Sequence, residues 1–137
     1  MKLDTLELHN FRSFYGTQTI EFSEYDELNV TLVHAQNGVG KTNLLNAVLW
    51  NFYGITTGKF EKKEMLMNDE ARSKGHNECS VKVTFNHENQ KYISLRSVDK
   101  NSKNTIFKIW KAEGSNFKED RHPEQLINGI IPKEMAT

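Results

Sequence analysis

Residues 35–42 bring together the side chains and glycines that bind a phosphate chain. They read Ala-Gln-Asn-Gly-Val-Gly-Lys-Thr, which is the phosphate-binding loop pattern with alanine in place of its first glycine. Gly38 and Gly40 permit backbone conformations in which successive N–H groups turn toward phosphate oxygens. Lys41 supplies an ammonium for the outer phosphates, and the Thr42 hydroxyl can ligate Mg²⁺. The segment therefore predicts a nucleotide-binding loop.

The elements on either side of the loop are those that a phosphate-binding loop needs. Residues 28–33 alternate apolar and polar side chains, which predicts a strand leading into the loop. From Lys41 onward the apolar spacing is helical, and this helix would direct the positive end of its dipole at the bound anion. Gly54 is a natural stop for it. Trp50 lies in its polar stripe, so we expect both sides of the helix to be covered.

Strand patterns occupy most of the remaining chain. Leu6 and Leu8 alternate with polar residues, and Pro123 is suited to the first position of a short helix. The expected elements are strands near 5–9, 19–22, 79–85, 92–95 and 105–110, turns at 15–17 and 87–90, and short helices over 64–71 and 123–129.

Composition bounds the class of protein and its compartment. The chain has 137 residues, 18 basic and 18 acidic, and 36% apolar residues, which indicates one domain or part of one and argues against disorder. A dedicated nucleic-acid domain usually carries a basic excess, and this chain has none. Its single cysteine, Cys79, suits a reducing compartment. With charges at the N-terminus and no long apolar run, the sequence predicts a cytoplasmic protein without a membrane partner.

Two motifs give the sequence a family resemblance. Asn37–Thr42 resembles the N-G-x-G-K-[ST] loop of the SMC-like branch of ABC ATPases, which includes the SMC proteins, RecF, RecN, SbcC and DndD-like proteins. Members of that branch open with a strand that ends in an Asn-Phe-Arg-Ser-like signature, and Asn10–Ser13 has this sequence at the right spacing. Residues 29–34 and 49–54 look most like DndD and the Lamassu SMC-like defence ATPases.

The resemblance implies a fold and a set of ligands. The fold would be α/β, a P-loop NTPase of the ABC/SMC-head type, whose N-terminal lobe arranges mixed and antiparallel strands around the loop helix. A mixed sheet would lead into the loop and the first helix, with an antiparallel sheet over 79–111 covering the helix. The cofactors would be ATP and Mg²⁺, with Thr42 as the metal ligand. The nucleotide-binding residues would be Arg12, Gln36, Asn37, Gly38, Val39, Gly40, Lys41, Thr42 and Asn43.

Individual roles also carry over from the resemblance. Arg12 would contact the nucleotide phosphates or the base, and Asn43 stands where the family often has a hydroxyl near the α-phosphate. Residues 67–69 fall roughly where the family packs the adenine side. Residues 65–70 (Met-Leu-Met-Asn-Asp-Glu) superficially resemble a Walker B strand, but Asn68 interrupts the apolar run and the segment suits a short amphipathic helix better.

The hydrolytic parts of such a head are expected elsewhere. In the family, the signature loop, the acidic Walker B pair and the switch histidine belong to a C-terminal lobe beyond a long coiled coil. We expect residues 1–137 to be the N-terminal lobe of an ATPase head, from a truncated form or a split gene, with no catalytic residue of its own. The intact protein would hydrolyse ATP, and this lobe alone would be inactive.

The resemblance also implies partners, and two other interpretations stay open. The partners would be the C-terminal lobe, a second head in a homodimer, DNA, and a nuclease or effector subunit, in DNA repair or anti-phage defence. A small P-loop nucleotide or metabolite kinase is one alternative, although the chain has only four arginines and a strand-rich second half. A non-catalytic nucleotide-binding module is the other.

Overall fold

The computed structural model describes residues 2–12, 14–21, 47–54, 67–99 and 105–130. Within these ranges the chain forms six strands and three helices. The strands are β1 (Lys2–Phe11), β2 (Phe14–Glu21), β3 (Glu78–His87), β4 (Gln90–Asp99), β5 (Thr105–Glu113) and β6 (Asn116–Glu119). The helices are α1 (residues 47–53), α2 (Asp69–Ser73) and α3 (Pro123–Ile130).

All six described strands belong to one sheet, in the order β2-β1-β3-β4-β5-β6, and each described pair is antiparallel. The antiparallel pairing expected over residues 79–111 is present, and these strands share one sheet with β1 and β2, because β1 pairs directly with β3 across a long sequence separation. The predicted strand over 28–33 lies outside the described residues. Helix α1 packs on this sheet, so the sheet fixes the position of the helix that follows the predicted loop.

The alternation predicted for residues 79–85 matches the sheet. Cys79, Val81, Val83 and Phe85 are all fully buried on one face of β3. The predicted turn after it is confirmed as a two-residue hairpin, in which Glu88 and the next residue both have left-handed φ angles, 52° and 64°. Such a turn matches the right-handed twist of the two strands that it joins.

The first hairpin differs from the prediction. The turn expected at residues 15–17 is wrong, because β2 already begins at Phe14 and these residues lie within it. The chain instead reverses at Arg12, after a register shift between His9 and Phe11. Asn10 and Arg12 both have left-handed backbone conformations, with φ angles of 52° and 54°. These two residues adopt the backbone conformation for which a turn usually uses glycine, and they are strained as a result.

Helix α1 lies on the buried face of the sheet. Residues 47–52 are buried, as the tryptophan in the polar stripe led us to expect. The Trp50 ring stacks on Phe11 of β1 with 5.5 Å between centroids, and Phe52 meets Phe85 of β3 edge-on at 5.4 Å. Aromatic pairs of this size stabilise a core beyond their buried area. The helix is thus fixed against both β1 and β3.

The short helices follow the sequence in outline. Helix α3 has the predicted start at Pro123, and its Ile127 is buried. Helix α2 begins at Asp69, later than predicted, because Met67 forms a bridge with Phe11 of β1 and Asn68 caps the helix. Among the described residues, no helix is both long and apolar enough to cross a membrane.

The buried thiol of Cys79 provides a test of this core. Burial raises the pKa of Cys79 to about 12, from an ordinary value of 9.0. Because the pKa is raised in the folded state, the thiol stabilises the fold fully below about pH 9, and this contribution is lost as the pH rises toward 12. We expect iodoacetamide to label Cys79 at pH 8 only as fast as the chain unfolds.

As a control, urea unfolding of the wild type and of the Cys79→Ala variant is measured from pH 8 to pH 11. The difference in unfolding free energy between wild type and variant should shrink as the pH rises. Rapid labelling of the native chain at pH 8 would contradict the buried position.

Candidate functional site

Arg12 is the one predicted binding residue that lies within the described part of the chain. It follows β1, its side chain is only 8% exposed, and its guanidinium carbon lies 5.9 Å from the centroid of the Phe11 ring. Burial lowers the pKa of Arg12 to about 10, so the group is still charged at neutral pH. A desolvated guanidinium favours an anion beside it, because an opposite charge offsets the desolvation cost.

The end of β1 is held by hydrogen bonds from two directions. The Gly16 N–H donates to Asn10 Oδ1 at 2.8 Å, and the Asn68 N–H donates to the Asn10 carbonyl at 2.7 Å. The Asn68 Nδ2 donates to the Arg12 carbonyl at 2.6 Å. These contacts fix the left-handed segment that carries Arg12.

Helix α1, which follows the predicted loop in sequence, is attached to the sheet by a buried amide. Asn51 Nδ2 donates to the Val81 carbonyl at 2.7 Å and to the Ser94 carbonyl at 3.0 Å. The Ser94 hydroxyl donates back to Asn51 Oδ1 at 2.6 Å. Both side chains are fully buried, so each of these polar atoms needs the partner that it has.

Arg96 lies at the C-terminal end of α1. Its Nε donates to the Asn51 carbonyl at 3.0 Å, and its guanidinium lies 4.0 Å above the Phe107 ring. Burial lowers the pKa of Arg96 to about 10, with Glu124 acting in the opposite direction. A cation at this end complements the helix dipole. The helix stops at Gly54, whose N–H donates to the Trp50 carbonyl at 2.8 Å.

The structure describes some of the predicted site residues and not others. It brings Arg12 together with Asn68, one of the residues predicted near the adenine side. Of the Walker B-like run, Asp69 and Glu70 lie exposed in the first turn of α2, whereas Met67 bridges to β1 and Asn68 caps the helix, so the helical prediction holds only for its last two residues. The loop residues Gln36, Asn37, Gly38, Val39, Gly40, Lys41, Thr42 and Asn43, and with them the predicted metal ligand, lie outside the described residues.

Sequence reasoning missed Arg96 and the role of Asn51. The signal for the second is an asparagine among the otherwise apolar residues 47–53, because a buried amide there requires partners from another element. Nothing in the spacing around Arg96 distinguished it from a surface arginine, since its position depends on the pairing of β4 with β5.

Comparison with known proteins gives the family. A family model for an AAA domain, AAA_23, matches residues 5–131, which is well over half of the chain. This chain belongs to the AAA_23 family of AAA domains. The AAA domain has the fold of the SMC head domain from Thermotoga maritima, with a TM-score of 0.54, 19% identity, and coverage of 92% of this chain and 41% of that one. The predicted resemblance to the N-terminal lobe of an SMC-like ABC ATPase head, and the α/β P-loop fold class, are confirmed.

Curated relatives of the AAA domain are much longer proteins. It is 38% identical over 84 residues to the chromosome partition protein Smc of Synechocystis sp., covering 58% of this chain and 7% of that protein. It is 29% identical over 133 residues to the DNA double-strand break repair Rad50 ATPase of Archaeoglobus fulgidus, covering 94% and 14%. The Rad50 ATPase of Pyrococcus abyssi is 27% identical over 101 residues, with 74% and 11% covered. The domain thus spans less than a sixth of these relatives.

The end of α1 can be tested with two matched glycines. Gly54 and Gly114 both have left-handed backbones, with φ angles of 71° and 62°. A Cβ at Gly54 would lie 3.2 Å from Nη1 of Arg96, whereas a Cβ at Gly114 would meet nothing within 4 Å. We expect Gly114→Ala to lower the unfolding free energy by about 1 kcal/mol and Gly54→Ala by about 2 kcal/mol or more.

Urea unfolding of the two variants measures the difference. Arg96 is held by Asn51 and Phe107, so it cannot yield without loss. Equal destabilisation by the two substitutions would show that Arg96 does not restrict the end of the helix.

Proposed function

We propose that the AAA domain is the ATP-binding N-terminal lobe, residues 1–137, of an SMC-like ATPase head that acts on DNA. ATP binding would drive two heads together, and hydrolysis would separate them. The observation that carries the proposal is a phosphate-binding loop sequence at residues 35–42 that precedes, in the sequence, a helix (α1, described from residue 47) fixed on an SMC-head sheet. A turn that merely joined a strand to a helix would not require Gly40, Lys41 and Thr42 together at the helix start.

Each part of the proposed site has a chemical role. The glycines of the loop let backbone N–H groups face the β- and γ-phosphates, and the Lys41 ammonium neutralises their outer oxygens. Thr42 would hold Mg²⁺ through its hydroxyl, which suits a small cation that retains several waters. Arg12 would contact the same anion, as the resemblance implies, and its guanidinium keeps its charge at neutral pH because its pKa is about 10.

Bound ATP supplies a phosphoanhydride whose cleavage can be coupled to separation of the heads. Hydrolysis also needs a group that positions water and groups that stabilise the developing charge. We place these in a C-terminal lobe and in a second copy of the head, so the domain alone would bind nucleotide without turning it over. This division supports a homodimer in the intact assembly.

DNA as the substrate of the assembly is supported by the relatives rather than by charge. The matched Smc is a chromosome partition protein and the matched Rad50 proteins are double-strand break repair ATPases. The net charge of this chain is zero, so we place DNA contacts on the assembled head rather than on a basic face of this lobe. Within this class we propose a role in DNA repair or anti-phage defence, with a nuclease or effector subunit as partner and the cytoplasm as location.

Calorimetric titration with Mg·ATP tests the proposed site. Lys41→Ala should weaken binding by at least about tenfold, because it removes a charge-assisted contact to phosphate. Lys108→Ala removes an exposed lysine on β5 and should leave the affinity unchanged. Equal affinities for Lys41→Ala and wild type would contradict the proposal.

Turnover of ATP provides a separate test of the division between lobes. The wild-type domain should bind Mg·ATP and release no phosphate above background. Sustained hydrolysis that Lys41→Ala abolishes would show that the hydrolytic groups lie within these 137 residues.

A further inference from the structure

The backbone that carries Arg12 is strained. Left-handed φ angles are unfavourable for residues other than glycine, and asparagine tolerates them better than arginine does. Asn10 and Arg12 both adopt this conformation, with one residue between them. A segment of this kind keeps its shape only when its surroundings impose it.

Asn68 imposes that shape through its backbone and its side chain together. Its backbone N–H donates to the Asn10 carbonyl at 2.7 Å, and its Nδ2 donates to the Arg12 carbonyl at 2.6 Å. Met67, the residue before it, bridges to Phe11. Asn10, Phe11 and Arg12 are thus all contacted by two consecutive residues, Met67 and Asn68.

The same carboxamide also anchors its own helix. Asn68 Oδ1 accepts the Ala71 N–H at 3.0 Å, which is the N-cap of α2. The oxygen is therefore committed to the helix and the nitrogen to Arg12, and asparagine offers both groups at this reach. Aspartate would keep the cap but has no hydrogen to donate to the Arg12 carbonyl, and serine would keep the cap with a single hydroxyl that is one atom shorter than the asparagine amide.

Helix α2 is itself fixed on β2, so Asn68 is attached to a stable support. Lys74 Nζ lies 5.0 Å above the Tyr15 ring, and the His76 ring meets Tyr15 edge-on at 5.9 Å. Ala71, a residue of this helix, is fully buried. Through this support the sheet holds the backbone from which the Arg12 side chain extends.

The geometry assigns to Asn68 the role of a positioning residue for Arg12 in nucleotide binding. The assignment rests on the proposed function, in which Arg12 faces the nucleotide phosphates. It concerns the amide nitrogen of Asn68, which would act on the nucleotide only through the backbone of Arg12.

The test is Mg·ATP affinity of the 137-residue chain carrying Asn68→Ser, which keeps an N-cap oxygen and adds no charge. Loss of one buried hydrogen bond that orients Arg12 should weaken binding by about fivefold. Gly114→Ala is the matched control, since its left-handed backbone makes the substitution destabilising and the residue lies in the turn between β5 and β6, far in the sheet order from β1 and from β2, which supports α2. Its affinity should stay within about twofold of wild type. If Asn68→Ser does not fold, Asn68→Asp keeps the preferred cap, and its loss of affinity should be at least as large.

A double-mutant cycle separates positioning from general weakening of the fold. In the Arg12→Ala chain, Asn68→Ser should cause no further loss of affinity, because the side chain that it positions is gone. An undiminished loss there, or wild-type affinity of Asn68→Ser in the native background, would overturn the assignment while Lys41→Ala still weakened binding. If Lys41→Ala had no effect, the proposed function and the assignment would both fall.

Discussion

The buried carboxamide of Asn51 is the contact on which the position of α1 depends. It is hydrogen-bonded to the Val81 and Ser94 carbonyls and to the Ser94 hydroxyl. These bonds fix the position of the helix on β3 and β4, because any shift would bury unpaired polar atoms. Aromatic packing alone would tolerate small rotations of the helix. Under the proposed function, this amide would also limit where a phosphate bound at residues 35–42 could lie, because α1 follows these residues in sequence.

The same sheet positions both described contributors to the candidate site. Strand β1 ends in the strained segment that carries Arg12, and β3 and β4 hold the helix that follows the loop. Arg96 closes the far end of that helix, so its dipole is complemented by a cation where the carbonyls end. Among the described strands, direct β1–β3 pairing within one antiparallel sheet is therefore what connects these two contributors.

Much of this arrangement could be predicted from local sequence, and the failures share a cause. The alternation along β3, the turn after it and the stop at Gly54 depend on near neighbours, and each prediction is confirmed. The joining of β1 to β3 and the placement of Arg96 depend on residues far apart in sequence, which periodicity does not report. Strand β6 was not predicted, because all four of its residues are exposed and it carries no alternating burial pattern. The turn at Arg12 was missed because Asn10 and Arg12 adopt left-handed backbone conformations at a turn where glycine would be expected.

The most direct measurement of the central claim is an NMR titration of the isotope-labelled domain with Mg·ATP. Backbone amides report where a nucleotide binds without any substitution. The account predicts that the largest shift changes fall on residues 36–43 and on the Arg12 side-chain Nε–H, with small changes along β5 and β6. Changes confined to β5 and β6, or no saturable change at all, would contradict a nucleotide site at the loop and the end of β1.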